Sequence, residues 1–200
     1  MARHRRSRSD HKGGGRPREA RANIHSRAPT GVARLTEEAL YSRIENTRDI
    51  LLLILDGVQD PHNLGACLRS AEGAGVAAVV VPRHKASPLT ETVIRISCGG
   101  ASRVPVVPVG NMARFLEKIR EDYGIRVLGT ADQADCVLYD SDLTGALALV
   151  LGAEETGIRR LTAENCDVLI RIPMAGEVEC LNVSNAAAVC LFEAVRQRNL

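Results

Sequence analysis

Three polar junctions interrupt an otherwise aliphatic chain, and each carries residue types that can do chemistry. The first is LDGVQDPHNLGACLRSAEGAGV, from Leu55 to Val76. It sets Asn63 at a helix start and Arg69 six residues on, flanked by Gly65, Ala66, Ser70 and Ala71. A guanidinium among small residues can grip a phosphate or carboxylate through two parallel hydrogen bonds. The spacing predicts that Asn63 caps the helix and that Arg69, nearly two turns later, shares its face on the buried side. A cap plus a salt bridge from Arg69 to Glu72 or Asp60 accounts for the same residues. The second junction is LVLGAEETGIRRL, from Leu149 to Leu161, where Gly152 and Gly157 permit close backbone approach to a ligand. Glu154 and Glu155 there also suit a helix N-terminus, which favours acids. No Lys-Ser/Thr pair follows Gly157, so this is not a P-loop. The third is IPMAGEVECLNVSNAAAVCLFEAVRQR, from Ile172 to Arg198. A helix cap needs one acceptor, yet Asn182, Ser184 and Asn185 crowd this entrance. The surplus polar groups need partners, and a ligand is one way to supply them.

The elements that must hold these junctions follow from hydrophobic patterning. LLLILD (51–56), AAVVVP (77–82), RVPVVPV (103–109), IRVLGT (125–130), ALALVLG (146–152) and DVLIRIP (167–173) are short aliphatic runs bounded by Gly, Pro or Asp. Runs apolar on both faces belong to a mostly parallel sheet. Pro105 and Pro108 confine the third run to an edge. Helical spacing is expected over Leu64–Gly73, Leu89–Ser97, Met112–Asp122, a short piece after Gly157, and Val183–Arg198. A further short helix is expected within Leu35–Thr47. Strand and helix alternate, so the fold class is α/β, a mostly parallel sheet flanked by helices. In such sheets, ligands gather at the carboxyl ends of strands, where all three junctions fall.

Charge divides the chain unevenly. Residues 1–34 hold ten Lys and Arg against two acids, whereas the remaining 166 hold sixteen against twenty-two. A basic arm on a mildly acidic body suits a polyanion partner, and it also suits a solvated terminus. The arm contains GGG at Gly13–Gly15 and few large apolar residues, so it is expected to be disordered. The expected division is a disordered basic arm over 1–34, a short helical linker over 35–48, and one α/β domain over 49–200. The six cysteines form no CxxC pair and lie in apolar segments, which predicts free thiols in a reducing cytoplasm and no metal site. No apolar run reaches membrane-spanning length. No GxGxxG follows the first strand and no Ser-His-Asp set is evident.

Taken together, DPHNLGACLRSAEGAGV, LVLGAEETG and IPMAGEVECLNVSNAAA resemble the three motifs of the SpoU/TrmH family of RNA ribose 2′-O-methyltransferases, in the SPOUT superfamily. The likeness covers about Leu51–Arg198 and is nearest to members that methylate a guanosine ribose in large-subunit ribosomal RNA. It implies a SPOUT fold with a deep C-terminal trefoil knot, an exception to the unknotted norm. It also implies a homodimer with its site at the subunit interface, built largely from the last helix. S-adenosyl-L-methionine is the implied cofactor, held at Thr130, Gly129, Leu151, Gly152, Ile172, Met174 and Leu181.

The implied catalytic residues are Arg69, Asn63, Glu154 and Asn182. Arg69 acts on the ribose 2′-hydroxyl as a base or as a positioning group, Asn63 helps hold Arg69 and RNA, and Glu154 shapes the site. Cys180 stands where the family has Ser, Asn185 where it has Val, and Glu155 and Thr156 where close members have Gly and an acid. The expected RNA contacts are Arg69, Arg83, Lys85, Arg95, Arg103 and the arm, including Arg3, Arg5 and Arg6. The arm is expected to tether RNA non-specifically, in place of the N-terminal RNA-binding domain of close members. RNA, ribosomal RNA first, and a second copy of the chain are the expected partners, without membrane or DNA. A transfer-RNA ribose methyltransferase and a non-catalytic ribosome-assembly factor are the competing readings.

Overall fold

Every residue of the first strand, β1 (Leu51–Asp56), is buried. Its pleat sends Leu51, Leu53 and Leu55 into one apolar core and Leu52 and Ile54 into another, so both faces of the sheet must be covered. In the computed structural model, which describes residues 31–84, 86–154 and 156–199, helices cover both. One core takes α2 (Pro61–Gly73), α4 (Gly100–Arg103) and α7 (Val183–Arg198). Val93 of α3 (Glu91–Ile96) joins the same core. The other core takes α1 (Glu37–Glu45) and α5 (Met112–Glu121), through Leu40, Ile44, Phe115, Leu116 and Ile119.

Six further strands complete the sheet: β2 (Ala78–Pro82), β3 (Val106–Val109), β4 (Arg126–Thr130), β5 (Cys136–Val137), β6 (Leu147–Gly152) and β7 (Val168–Arg171). Their order is β3-β2-β1-β6-β4-β7-β5, and every pairing is parallel. All strand carboxyl ends therefore share one edge, with Asp56 beside Gly152 and Thr130 beside Ile170. The proline-bearing run lies at the sheet edge as expected, with the Pro105 carbonyl still accepting from Val79 N–H at 2.9 Å. The short pieces α4, β5 and a 3₁₀ turn at Leu138–Asp140 carry no hydrophobic period long enough to read from sequence. The helix after Gly157 is the single turn α6 (Arg160–Ala163).

Two boundaries move inward toward the N-terminus. Ala33 N–H donates to Ala101 O at 2.7 Å, Val106 N–H donates to Ala33 O at 2.9 Å, and Arg34 bridges Val106 in parallel. The end of the expected arm is thus part of the folded body. The expected linker over 35–48 contains α1, whose Leu40 and Ile44 are core residues rather than spacer. The thiols also depart from expectation. Cys67 and Cys190 are buried and Cys166 half-buried, whereas Cys98, Cys136 and Cys180 are exposed. No helix among the described residues is long and apolar enough to cross a membrane.

The last helix is docked by a polar clasp. Glu193 accepts from Arg196 Nε at 2.9 Å and from Gln197 Nε2 at 2.8 Å, and Gln197 also donates to Ser141 O at 3.0 Å. The hydrogen bonds from Arg196, then Gln197, hold the Glu193 carboxyl at about 2, below its ordinary 4.5. A depressed carboxyl contributes stability that is complete above its unfolded value and is lost as pH falls toward its folded value. The urea midpoint is therefore expected to drop between about pH 4.5 and pH 2, and Glu193→Gln to remove part of that dependence. An identical pH slope in the variant excludes the clasp as its source.

Candidate active site

At the carboxyl edge of the sheet, the loops after β4, β6 and β7 enclose a cavity of about 620 Å³. That is within the range of small-molecule sites. Thr130, Leu151, Gly152, Ile172, Met174 and Leu181 all line it. Gly129 does not. It lies one pleat behind the wall, where an added Cβ would come within 2.8 Å of Cys166 Sγ and 2.9 Å of Leu169 Cδ2. Its requirement for glycine is therefore packing between β4 and its neighbours.

The Gly152 requirement has an internal cause too. A Cβ there would lie 1.9 Å from Gly157 C and 2.1 Å from Ile158 N. The loop approaches itself closely here, and Gly152 also lines the cavity. Gly157, at φ +62°, donates to Ala153 O at 2.8 Å and closes the turn. Below it, the buried Asp56 carboxylate accepts from Arg159 N–H at 3.0 Å and Arg159 Nε at 2.8 Å, and pairs with Nη2. Those hydrogen bonds push the Arg159 guanidinium further above its ordinary pKa. The loop that carries Glu154 is thus latched onto the end of β1. This latch was not anticipated; its only sequence signal is a carboxylate closing an apolar run.

Three of the four expected catalytic side chains meet at the rim. Asn63 Nδ2 donates to Glu154 Oε1 at 3.1 Å, Asn182 Nδ2 donates to Asn63 Oδ1 at 3.1 Å, and Asn182 Nδ2 also bonds Glu154. The oxygen of Asn182 meanwhile caps α7, accepting from Ser184 N–H at 3.0 Å and Ser184 Oγ at 2.6 Å. One asparagine thus serves both the helix and the site, which answers for the surplus polarity of the junction. Asn185 is exposed in this chain. Asn63 is free for this ring because it is not the cap of α2. Asp60 is, accepting from His62 N–H at 2.9 Å with Pro61 at the first helical position.

Arg69 stands apart from the ring. Six residues advance a helix by about 600°, a third of a turn short of alignment, so the two side chains do not share a face. Arg69 is exposed, not on the buried side, and among the described residues it makes no hydrogen bond or ion pair. The Glu72 partner is Arg103, at 3.7 Å. Arg69 Cα instead abuts Gly100, whose Cβ would come within 3.1 Å. Arg83 and Arg95 are exposed as well. Arg3, Arg5, Arg6, Lys85 and Glu155 lie outside the described residues.

The lining suits a compact organic cation. Leu151, Ile158, Leu169, Met174 and Leu181 give apolar surface, and Asp132, Glu154 and Glu179 outnumber the one guanidinium, Arg171. A sulfonium donor with an aromatic base and an amino-acid tail matches both features. No His/Cys/Asp/Glu group among the described residues could hold a metal ion.

Comparison with known proteins agrees with this geometry. The 23S rRNA (guanosine-2′-O-)-methyltransferase RlmB of Vibrio vulnificus is 56% identical over 164 residues, covering 82% of this chain and 66% of that protein. Its namesake in Photorhabdus laumondii is 60% identical over 148 residues, covering 74% of this chain and 60% of that protein. The chain thus spans 60–66% of the length of these relatives. Among solved structures, the SpoU methyltransferase AviRb from Streptomyces viridochromogenes superposes with a TM-score of 0.73 at 31% identity, covering 80% of this chain and 63% of AviRb. The same enzyme in complex with the cofactor AdoMet gives 0.70 at 32% identity, covering 78% and 63%. The A. aeolicus TrmH/SpoU tRNA modifying enzyme gives 0.69 at 27% identity, covering 80% of this chain and 84% of that one. The sequence model of the SpoU rRNA Methylase family matches residues 50–192, and the chain belongs to that family.

Proposed function

We propose that this chain is an S-adenosyl-L-methionine-dependent RNA methyltransferase. It modifies a ribose 2′-hydroxyl, in a guanosine of ribosomal RNA, as a cytoplasmic homodimer. The observation that carries the reading is the Asn63–Glu154–Asn182 ring on the rim of an apolar, acid-edged cavity. It occurs in a chain more than half identical to enzymes named for that reaction. Thr130, Leu151, Gly152, Ile172, Met174 and Leu181 hold the donor, which when bound supplies a methyl group on a positively charged sulfur.

The remaining work falls to the chain. A 2′-hydroxyl is a weak nucleophile and must shed its proton as the new C–O bond forms. The planar, two-pronged guanidinium of Arg69 suits gripping more than proton abstraction, so it positions the sugar and its phosphate and stabilises the developing oxyanion. The ring fixes Glu154 and leaves Arg69 unengaged in one protomer, which supports completion of the site by a second copy through α7. The knotted passage implied by family likeness belongs to this proposal. Its loops are 130–133, 151–158 and 172–181, the three that wall the cavity.

Transfer of labelled methyl from the donor to purified ribosomal and transfer RNA tests the reading, with the modified nucleotide mapped by mass spectrometry. A 2′-O-methylguanosine in large-subunit RNA is expected. Labelling confined to transfer RNA favours the alternative substrate, which the 84% coverage of the A. aeolicus tRNA modifying enzyme supports. Donor and RNA binding without transfer favours the assembly-factor reading. The basic arm is proposed to add salt-sensitive RNA affinity. Removal of residues 1–30 leaves the Ala33–Ala101 bond intact and takes away nine Lys and Arg against two acids. It is expected to weaken RNA binding and to flatten the slope of log K against log salt. An unchanged slope removes the arm from recognition.

A further inference from the structure

The loop from Ala153 to Thr162 is a partition with a cavity on each side. Its first part, through Ile158, walls the 620 Å³ cavity, whereas Arg159, Leu161 and Thr162 line a second hollow of about 350 Å³. Pro82, His84 and Asn111 form the opposite wall of that hollow, at the carboxyl ends of β2 and β3. We propose that the hollow binds a nucleotide of the RNA flanking the one presented to the larger cavity, with phosphate on Arg159 and base against His84 and Leu161. The proposal rests on the RNA-methyltransferase reading and extends it to a second subsite.

Four observations point to a nucleotide. Arg159 is pre-oriented: the fully buried Asp56 side chain engages Nε and Nη2, and Nη1 makes no hydrogen bond among the described residues. A guanidinium so fixed loses little freedom on gripping a phosphate. Leu161 is 56% exposed and His84 is exposed, giving an apolar surface and a flat ring beside that cation. Asn111 spends its oxygen capping α5, accepting from Arg114 N–H at 3.2 Å, and its amide N–H₂ has no partner among the described residues. It is therefore a donor available to a base edge or a phosphate.

Charge is the fourth observation. No carboxylate lines the hollow. Arg83, whose N–H bonds Val109 O at 2.7 Å, and Arg114 flank it, and among the described residues neither pairs with an acid. The Arg159 charge is balanced by Asp56, so the net positive charge here comes from Arg83 and Arg114, next in the chain to lining residues; on a body carrying more acids than bases, that local excess favours a polyanion. The volume, about 350 Å³, falls at the lower end of the range for small-ligand sites.

The test uses the full chain, the double variant His84→Ala/Leu161→Ala, and a ribosomal RNA fragment bearing 4-thiouridine. RNA affinity is read by fluorescence anisotropy, donor affinity by calorimetry, and contact by crosslink mapping. The double variant is expected to bind RNA about tenfold more weakly, with donor affinity within about twofold of wild type. Crosslinks are expected in the segments around residues 82–84 and 159–162. Unchanged RNA affinity, crosslinks confined to other segments, or an equal loss of donor binding each overturns the proposal. Crosslinks in the hollow without methyl transfer by the wild type uphold the subsite and overturn the enzymatic reading. Methyl transfer by the wild type with RNA affinity unchanged in the double variant overturns the subsite alone, and donor binding without any RNA binding overturns both.

Discussion

Arg69→Ala is expected to lower the methyl-transfer rate by about 10²–10³-fold while leaving donor affinity unchanged. The two halves of this expectation come from different facts. Arg69 does not line the 620 Å³ cavity, so removal of its side chain takes no contact from the donor. Its guanidinium is exposed and unpaired among the described residues, so removal breaks no internal ion pair and costs little stability. What remains to lose is an interaction made with substrate as charge develops on the sugar oxygen, and such losses appear in kcat. Arg69→Lys separates the two roles. Lysine keeps the charge but not the planar two-pronged donor, so a positioning role leaves it nearly as impaired as alanine. A general-base role predicts instead a recovered rate with a displaced pH profile, since lysine releases its proton far more readily. A variant within threefold of wild type, or one that loses donor binding in parallel, removes Arg69 from the place assigned to it.

What the sequence made legible, and what it hid, divides along a physical line. Alternation of short aliphatic runs with helical spacing carries the sheet, because burial on both faces of β1, β2 and β6 favours apolar residues at those positions, the ion-paired Asp56 excepted. Turn and cap chemistry was harder to place. Asn63 and Asp60 are both good caps, and Pro61, at the first helical position, is the local signal that favours Asp60. What the local sequence does not report is the partner of Asn63, Glu154, 91 residues away. Glycines are ambiguous in a similar way. Gly129 and Gly152 are required by backbone crowding inside the protein, and a sequence reports the requirement without saying what does the crowding. The surplus polarity at Asn182 was a sound clue, since capping and site-building divide between the oxygen and nitrogen of one side chain.

Breaking the buried pair beneath the site is expected to be asymmetric. In Arg159→Met the Asp56 carboxylate keeps one backbone N–H and loses its counter-charge, with a side chain wholly inaccessible to water. An uncompensated buried charge costs about 3–5 kcal/mol. Asp56→Asn leaves the charge on Arg159 instead, whose side chain is 48% exposed and can be rehydrated. That variant is expected to lose only a charge-assisted hydrogen bond or two, about 1–3 kcal/mol. Urea denaturation of both variants measures the difference. Equal losses would mean that the partition loop relaxes enough to wet Asp56. The functional consequence follows from where the pair sits. It anchors Arg159 immediately after the turn at Gly157, and the same turn holds Glu154 in the ring and walls the 620 Å³ cavity proposed for the donor. Asp56→Asn, still folded at ordinary temperature, is therefore expected to bind the donor more weakly, by calorimetry, than its modest stability loss requires. Donor affinity equal to wild type in that variant would show that the loop keeps its shape through the Gly152–Gly157 contact alone, with the ion pair serving stability and not the site.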